Sequence, residues 1–425
     1  MKGFPYHRGW LILGITVLNL FACLGLGRFS LGAILPFMRE GLSLSYTEAG
    51  IIASAVFLGY LAGAVSVGFL TNRFPTKKVI IVSLIISAAG MGASAAVNHF
   101  FTAFLAFLVI GLGCGTGNVA SLSVVGKWFS IKYRGFALGV TNSGSSFGML
   151  ISGFLVPMLM MINTGGWRIS WGILALLVVL IIIINHFFLV DEPHEIGLKP
   201  IGAERDPASE EGEKLVQPRS PLIENVYSSK LIYLIGITYF TWGFSYLIFS
   251  TFFVDFLITS VSLEPTLAGQ IFATAGIASI ASGFLWGALS DKIGRMLTLF
   301  IIYLIQTCLL IAFTVTTQPI FLFLETILYS LTLWAVPTIM VAAVSDLTAA
   351  RKTSMAIGFI TLFFGIGQWI SPMVTGVLVD YYNFTTAFYL SAAVCLTGSA
   401  GCMFLHLKIK SDKGTAASGL QMKES

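Results

Sequence analysis

Apolar residues in this chain come in long unbroken runs, each closed by a short polar cluster. They do not recur every third or fourth position, as on a helix lying on a soluble core. A helix needs ~20 apolar residues to cross a bilayer. Twelve runs reach that length, at about 10–37, 47–70, 78–97, 100–125, 135–160, 167–190, 230–257, 267–289, 295–316, 319–344, 354–379 and 384–406. Only Asn98 and His99 separate the third run from the fourth. One stretch breaks the pattern. Residues 191–228 hold nine acids, several prolines and almost no aromatics, so a polar linker divides the chain into six spans plus six.

Composition agrees with this pattern. The 425 residues are 56% hydrophobic and 10% charged, against roughly 25% charged in a soluble domain. The expected class is an all-α membrane protein with twelve transmembrane helices in two six-helix bundles. Residues 1–190 form the first bundle, 191–229 the linker, 230–409 the second bundle and 410–425 a tail. The first run is too long for a signal-peptide core and is read as an uncleaved span. Cys23, Cys114, Cys308, Cys395 and Cys402 all fall in apolar runs without CxxC spacing, so they read as packing residues and no metal is expected.

Basic residues set the orientation. With the N-terminus in the cytoplasm, 21 of the 24 Lys and Arg fall in cytoplasmic loops, the linker or the termini. Only Arg39 and Arg168 lie outside, and Arg28 lies within a span. This bias places both termini in the cytoplasm and the protein in the inner membrane. The net charge of +5 therefore follows membrane topology and does not call for nucleic acid.

The two halves share a hidden repeat. GFLTNRFPTKKV (68–79) follows span two, and GALSDKIGRMLT (287–298) follows span eight. Gly68 and Gly287 are 219 residues apart; the same offset relates Asn72 to Asp291, Arg73 to Lys292, Gly139 to Gly358 and Gly148 to Gly367. Duplicated halves of this kind place a transport site between them at mid-membrane. Through Gly287, Leu289, Asp291, Gly294 and Arg295, GALSDKIGR resembles the loop signature of the major facilitator superfamily. The first copy departs from that signature, with Asn72 at the acidic position and Phe74-Pro75 at the x-Gly. The resemblance implies two pseudo-symmetric bundles, a cavity lined by spans one, four, seven and ten, and loops at Gly68, Arg73, Gly287, Asp291, Gly294 and Arg295 that govern conformational switching. GLGRFSLGAILPFM (25–38) is similar to a bacterial branch with GxGRF…LPxM in span one, distantly like monocarboxylate and oxalate/formate carriers. Span eight lacks the Asp and Arg usual in monocarboxylate carriers.

Arg28 is the candidate substrate ligand. It lies about 27 Å from the start of its run and about 16 Å short of Arg39, too deep to reach the interface easily. Its planar fork of donors suits a carboxylate. Glu325, six residues past Pro319, reads as the other buried charge at a similar level: either a proton site whose carboxylate pairs with Arg28 when substrate is absent, or a shallow acid reaching toward the headgroups. Asn118, Asn142, Tyr246, Gln270, Trp334 and Gln368 supply neutral polar or aromatic groups for the cavity. A single charge among amides and aromatics suits a small monovalent anion. The expected activity is secondary transport of a small carboxylate-like anion by alternating access, coupled to H+ or to exchange, by a monomer without cofactor. An exporter of drugs or other organic cations, and a non-transporting receptor, are the alternatives. No GxSxG, HExxH or Walker loop is present, so an enzyme is not expected.

Overall fold

The computed structural model describes residues 7–161, 165–203, 223 and 225–424. Twelve helices in it are long and apolar enough to cross a membrane. In chain order they are α1 (Gly9–Gly41), α2 (Tyr46–Arg73), α3 (Thr76–Ala96), α4 (Phe100–Trp128), α5 (Lys132–Met160), α6 (Gly166–Phe188), α7 (Lys230–Thr259), α8 (Pro265–Ile293), α9 (Arg295–Val315), α10 (Pro319–Leu347), α11 (Lys352–Tyr381) and α12 (Phe384–Ser411). The expected all-α class with twelve spans is what the structure has. The helical backbone continues past α12 to Glu424, over the expected tail. Much of the expected linker, 204–222 and residue 224, lies outside the described residues.

Twelve crossings, an even number, bring both ends of the described chain to one end of the bundle. The two ends differ. At the end opposite the termini, α5 and α8 touch backbone to backbone: Gly153 faces the Gly269 carbonyl, and Gly276 faces Leu150 and the Ser146 carbonyl. On the other side of the bundle, Gly50 meets the Pro372 carbonyl and Gly376 meets the Tyr46 carbonyl, joining α2 to α11. Small residues let membrane helices approach this closely. Toward the termini, Gly68, Gly135, Gly287 and Gly358 have no neighbour within 4 Å of where a side chain would begin. There α5 and α8 diverge around a cavity of about 340 Å³. The two halves are thus closed at one end and parted at the other.

Polar contacts reinforce the closed end. Asp380, at the end of α11, accepts from the Tyr46 and Thr47 backbone N–H groups at 2.9 and 2.7 Å. It places a negative charge on the N-terminus of α2, where the helix dipole favours it. The same turn carries a capping box between Ser45 and Glu48.

Both ends of the linker dock on the open end. The Ile201 backbone N–H donates to the Trp128 carbonyl at 2.9 Å, and the Ile223 N–H donates to the Leu347 carbonyl at 3.0 Å. Each makes a parallel bridge to the next residue, Phe129 or Thr348. These acceptors sit at the 219-residue offset seen in the sequence, so the two halves hold the linker in equivalent ways.

Candidate functional site

Three membrane helices lose their regular α-form at mid-bundle. In α1, Phe21–Phe29 is π-helical. In α7 the helix is interrupted at Tyr246, between Lys230–Ser245 and Leu247–Thr259. In α10 it is interrupted at Trp334, between Pro319–Leu333 and Ala335–Leu347. Wider or broken turns release backbone groups and re-aim side chains, and in membrane proteins they are tolerated where they line a cavity or are buried in protein. Arg28, Tyr246 and Trp334 sit in these segments.

Arg28 is 7% exposed. Its Nη2 donates to Tyr246 Oη at 2.7 Å. Its guanidinium carbon lies 4.4 Å from the Phe57 ring centroid, 5.2 Å from Tyr60 and 5.4 Å from Phe29. Rings stabilise the cation through their faces, but they neutralise no charge. Among the described residues no carboxylate pairs with Arg28, and its Nε has no partner.

Neighbouring groups converge on it. Gln368 Nε2 also donates to Tyr246 Oη, so that phenol accepts from both α1 and α11. Asn118, on α4, donates to Tyr60 Oη at 2.6 Å, while its own Oδ1 is buried without a partner. Behind Tyr246 stand near-parallel rings: Trp242 at 4.5 Å from Tyr246, and Tyr239 at 4.6 Å from Phe364. Trp334 touches Phe29 edge-on at 5.4 Å and donates to Ser146 Oγ. It also lines the cavity at the open end, together with Asn142, Ser279 and Thr338. The Phe29–Trp334 contact therefore lies between Arg28 and that cavity.

The structure brings Arg28, Asn118, Tyr246, Gln368 and Trp334 into one cluster and Asn142 into the adjoining cavity. Gln270 does not join them. Ala268, Gly269, Ile271 and Phe272 are buried, and Gln270 is exposed on the opposite side of α8. Because Gly269 presses onto Gly153 and Pro157, the helical turn carries the next residue away from the interface. Glu325 is only half-buried, and its Oε1 accepts from Thr316 at 2.6 Å, within the C-terminal half. Its expected pairing with Arg28 is not formed here.

Glu325 is not the only acid within a span. Asp255, on α7, is 0% exposed and bridges to α1 and α2: Arg39 Nε donates to Oδ2 at 3.3 Å and Tyr46 Oη to Oδ1 at 3.4 Å. Sequence reasoning passed over Asp255, although an acid inside FSTFFVDFLIT carries the same signal that singled out Arg28. Phe57, Tyr60 and Phe364 were also missed; as ordinary aromatics in apolar runs they carry no such signal.

At the loop expected to govern switching, Gly287 and Gly294 flank an ionic cluster. Arg295 pairs with Asp291 and, through Nε at 3.1 Å, with Asp346, and donates to Ser290 Oγ at 2.7 Å. Gly294 has φ +97°, a conformation that costs other residues. In the N-terminal half Gly68 and Arg73 are exposed, and Arg73 has no ion pair among the described residues.

The sequence profile of the Major Facilitator Superfamily matches residues 17–340 and 265–422. This chain belongs to the Major Facilitator Superfamily. Among other superfamily members it is similar to the hexuronate transporter of Bacillus subtilis (strain 168), with 25% identity over 92% of this chain and 94% of that one. It is 24% identical to the "Probable sulfoacetate transporter SauU" of Cupriavidus necator, over 93% of each chain. Solved structures of the superfamily share the fold. The D-xylose-proton symporter superposes with a TM-score of 0.73 over 92% of this chain and 97% of that one, at 12% identity. A bacterial homologue of the human lysosomal transporter Spinster, inward-facing and occupied, gives 0.72 over 95% and 98%, at 14% identity. The protein is a multi-pass membrane transporter and not an enzyme.

Proposed function

We propose that this transporter moves a small organic anion with one carboxylate- or sulfonate-type head, and that Arg28 holds the head. The observation that carries this reading is a buried guanidinium whose hydrogen-bond partner is a neutral phenol. An unneutralised cation at this depth is costly, and an anionic ligand would remove that cost. Asn118, Tyr246 and Gln368 complete the polar wall, and Trp334 and Asn142 line the way in from the open end. The similarity to the hexuronate transporter and to the probable sulfoacetate transporter fits an anionic substrate. The neutral cluster around Arg28 speaks against an organic cation.

With both termini in the cytoplasm of an inner-membrane protein, as the basic residues indicate, the parted end faces inward and this is an inward-facing form. Switching then requires the 287–295 loop and its counterpart near Gly68 and Arg73 to slide as the open end closes. The unit of transport in this reading is the monomer, driven by H+ or by exchange.

The test is a melting-temperature screen of purified protein with sulfoacetate, glucuronate, galactonate, lactate and choline, followed by counterflow of the best anion in liposomes. Stabilisation by at least one anion, none by choline, and its loss in Arg28→Ala are expected. Stabilisation by choline alone, or an anion effect that survives in Arg28→Ala, would falsify the assignment.

A further inference from the structure

A proton can drive a carrier only through a group whose contacts differ between its two forms, because a ligand shifts an equilibrium only by its differential affinity. Glu325 fails this requirement. Its hydrogen bond to Thr316 stays inside one half and survives rigid-body rocking. The contacts of Asp255 cross from the C-terminal half to the N-terminal half at the closed end. They exist only while that end is shut.

We propose that Asp255 is the proton-binding site of this transporter, and that its protonation releases the closed end. The inference rests on the reading that the chain works by alternating access. In the closed form the carboxylate is held by the Arg39 cation and the Tyr46 hydroxyl. Arg39 is itself fixed from behind, its guanidinium carbon 4.0 Å from the Tyr46 ring centroid. When this end parts, Asp255 meets water without either partner. A proton from that water then binds one carboxylate oxygen and leaves a neutral carboxyl; no other bond changes. The neutral form has no charge with which to re-form the bridge to Arg39, so low pH favours the open end. Closure with the proton lost restores the pair.

The charged surroundings are few. From α1 come Arg39 and the neighbouring Glu40, which is exposed. From α2 comes Tyr46, and from α11 comes Asp380, bound to the Tyr46 backbone. α8 contributes Glu264, exposed at its N-cap. α12 contributes the rings of Phe384 and Phe388 against Phe256. Arg39 is the one cation in contact with Asp255 among the described residues, and its bridge has to outweigh the apolar packing around the carboxylate, which by itself favours the neutral form. Arg28 lies on the same helix as Arg39, so movement of α1 at the released end reaches the substrate site directly.

The experiment uses the full chain in nanodiscs, with no anion added. Spin labels go at Phe101→Cys and Tyr382→Cys, exposed positions at the closed end of opposite halves, in a Cys308→Ala background. Electron–electron distances are read from pH 8 to pH 5. In the parent the separated population should grow as pH falls, by up to about tenfold per pH unit for one linked proton. Asp255→Asn should show that population at every pH, and Glu325→Gln should titrate like the parent. If Asp255→Asn is unstable, Arg39→Gln removes the same bridge and should hold the end open, while Arg39→Lys should restore the titration. A parent that does not respond to pH, or an Asp255→Asn protein that titrates normally, overturns the proposal. Because no anion is present, a pH response without any anion stabilisation would reject the substrate reading and leave this one standing.

Discussion

The 287–295 loop of the C-terminal half is complete in itself, whereas the matching 68–76 loop of the N-terminal half borrows from the linker. In the C-terminal half Arg295 binds Asp291 and Asp346. Shifted by 219 residues, the same positions hold Thr76, Asn72 and Lys127. The contact between α3 and α4 persists there: Lys127 Nζ reaches Thr76 Oγ at 3.4 Å, as Arg295 reaches Asp346. Its polarity is reversed, with the cation now on the fourth helix of the half. The acid comes from the linker, as Glu192 accepts from Lys127 at 2.8 Å. Asp191 adds a carboxylate on the Lys77 N–H at the start of α3. Position was retained between the halves while charge was not, and the departure at Asn72 is compensated by a segment outside the repeat.

A second asymmetry concerns the site. The N-terminal half contributes the charge, through Arg28 with Phe57, Tyr60 and Asn118. The C-terminal half contributes a neutral wall of Tyr239, Trp242, Tyr246, Phe364 and Gln368. In the proposed reading, one half attracts the anion and the other shapes the space around it.

This division can be broken experimentally. Arg28→Gln removes the only charge in the cluster among the described residues and should weaken anion binding about 100-fold, in line with ~3 kcal/mol for a buried charge-assisted contact; titration calorimetry with the best anion checks this, and a loss under threefold would mean the charge is not what the anion meets. On the neutral side, Tyr246→Phe deletes one hydrogen-bond partner, and an affinity loss near tenfold is expected, about 1.4 kcal/mol. An equal loss in both variants would erase the distinction between the halves.

The loops sharpen the comparison at lower cost. Arg295→Ala and Lys127→Ala each remove exposed or half-exposed ion pairs, worth about 1 kcal/mol or less. Hydrogen exchange separates them: only Lys127→Ala should raise exchange across 189–203, and only Arg295→Ala across 290–297. If Arg295→Ala loosened 189–203 as well, the two loops would not be independent. The smallest effect is pH-dependent. The hydrogen bond from Lys127, with its charge, holds the Glu192 carboxyl below the usual range. A depressed carboxyl stabilises the docked strap above the ordinary carboxylate range, near 4.3, and loses that contribution as pH falls through the lowered value. Exchange of 189–203, corrected for intrinsic rate, should therefore rise slightly on acidification from pH 5 to pH 3.

Much of this was legible in order of residues. Run length and the placement of Lys and Arg were enough for twelve spans, and the offset between Gly68 and Gly287 was enough for two related halves. Arg28 was conspicuous because a guanidinium inside an apolar run has few tolerable explanations. Gln270 misled because an amide in span eight looks the same whether it faces the neighbouring helix or away from it. Depth along span ten put Glu325 level with Arg28 but said nothing about which half supplies its partner, which is Thr316. Asp255 went unremarked because its meaning depends on Arg39 and Tyr46, more than 200 positions earlier.

By itself, then, the sequence determined what must lie in lipid and what cannot stay there unpaired, since transfer of each segment and each charge from water is a local cost. The tertiary structure decided which groups meet. Arg28 with Tyr246, Asp255 with Arg39 and Lys127 with Glu192 are contacts between distant segments. They form because helix packing brings those side chains within 3.5 Å, and no periodicity along one helix encodes that distance.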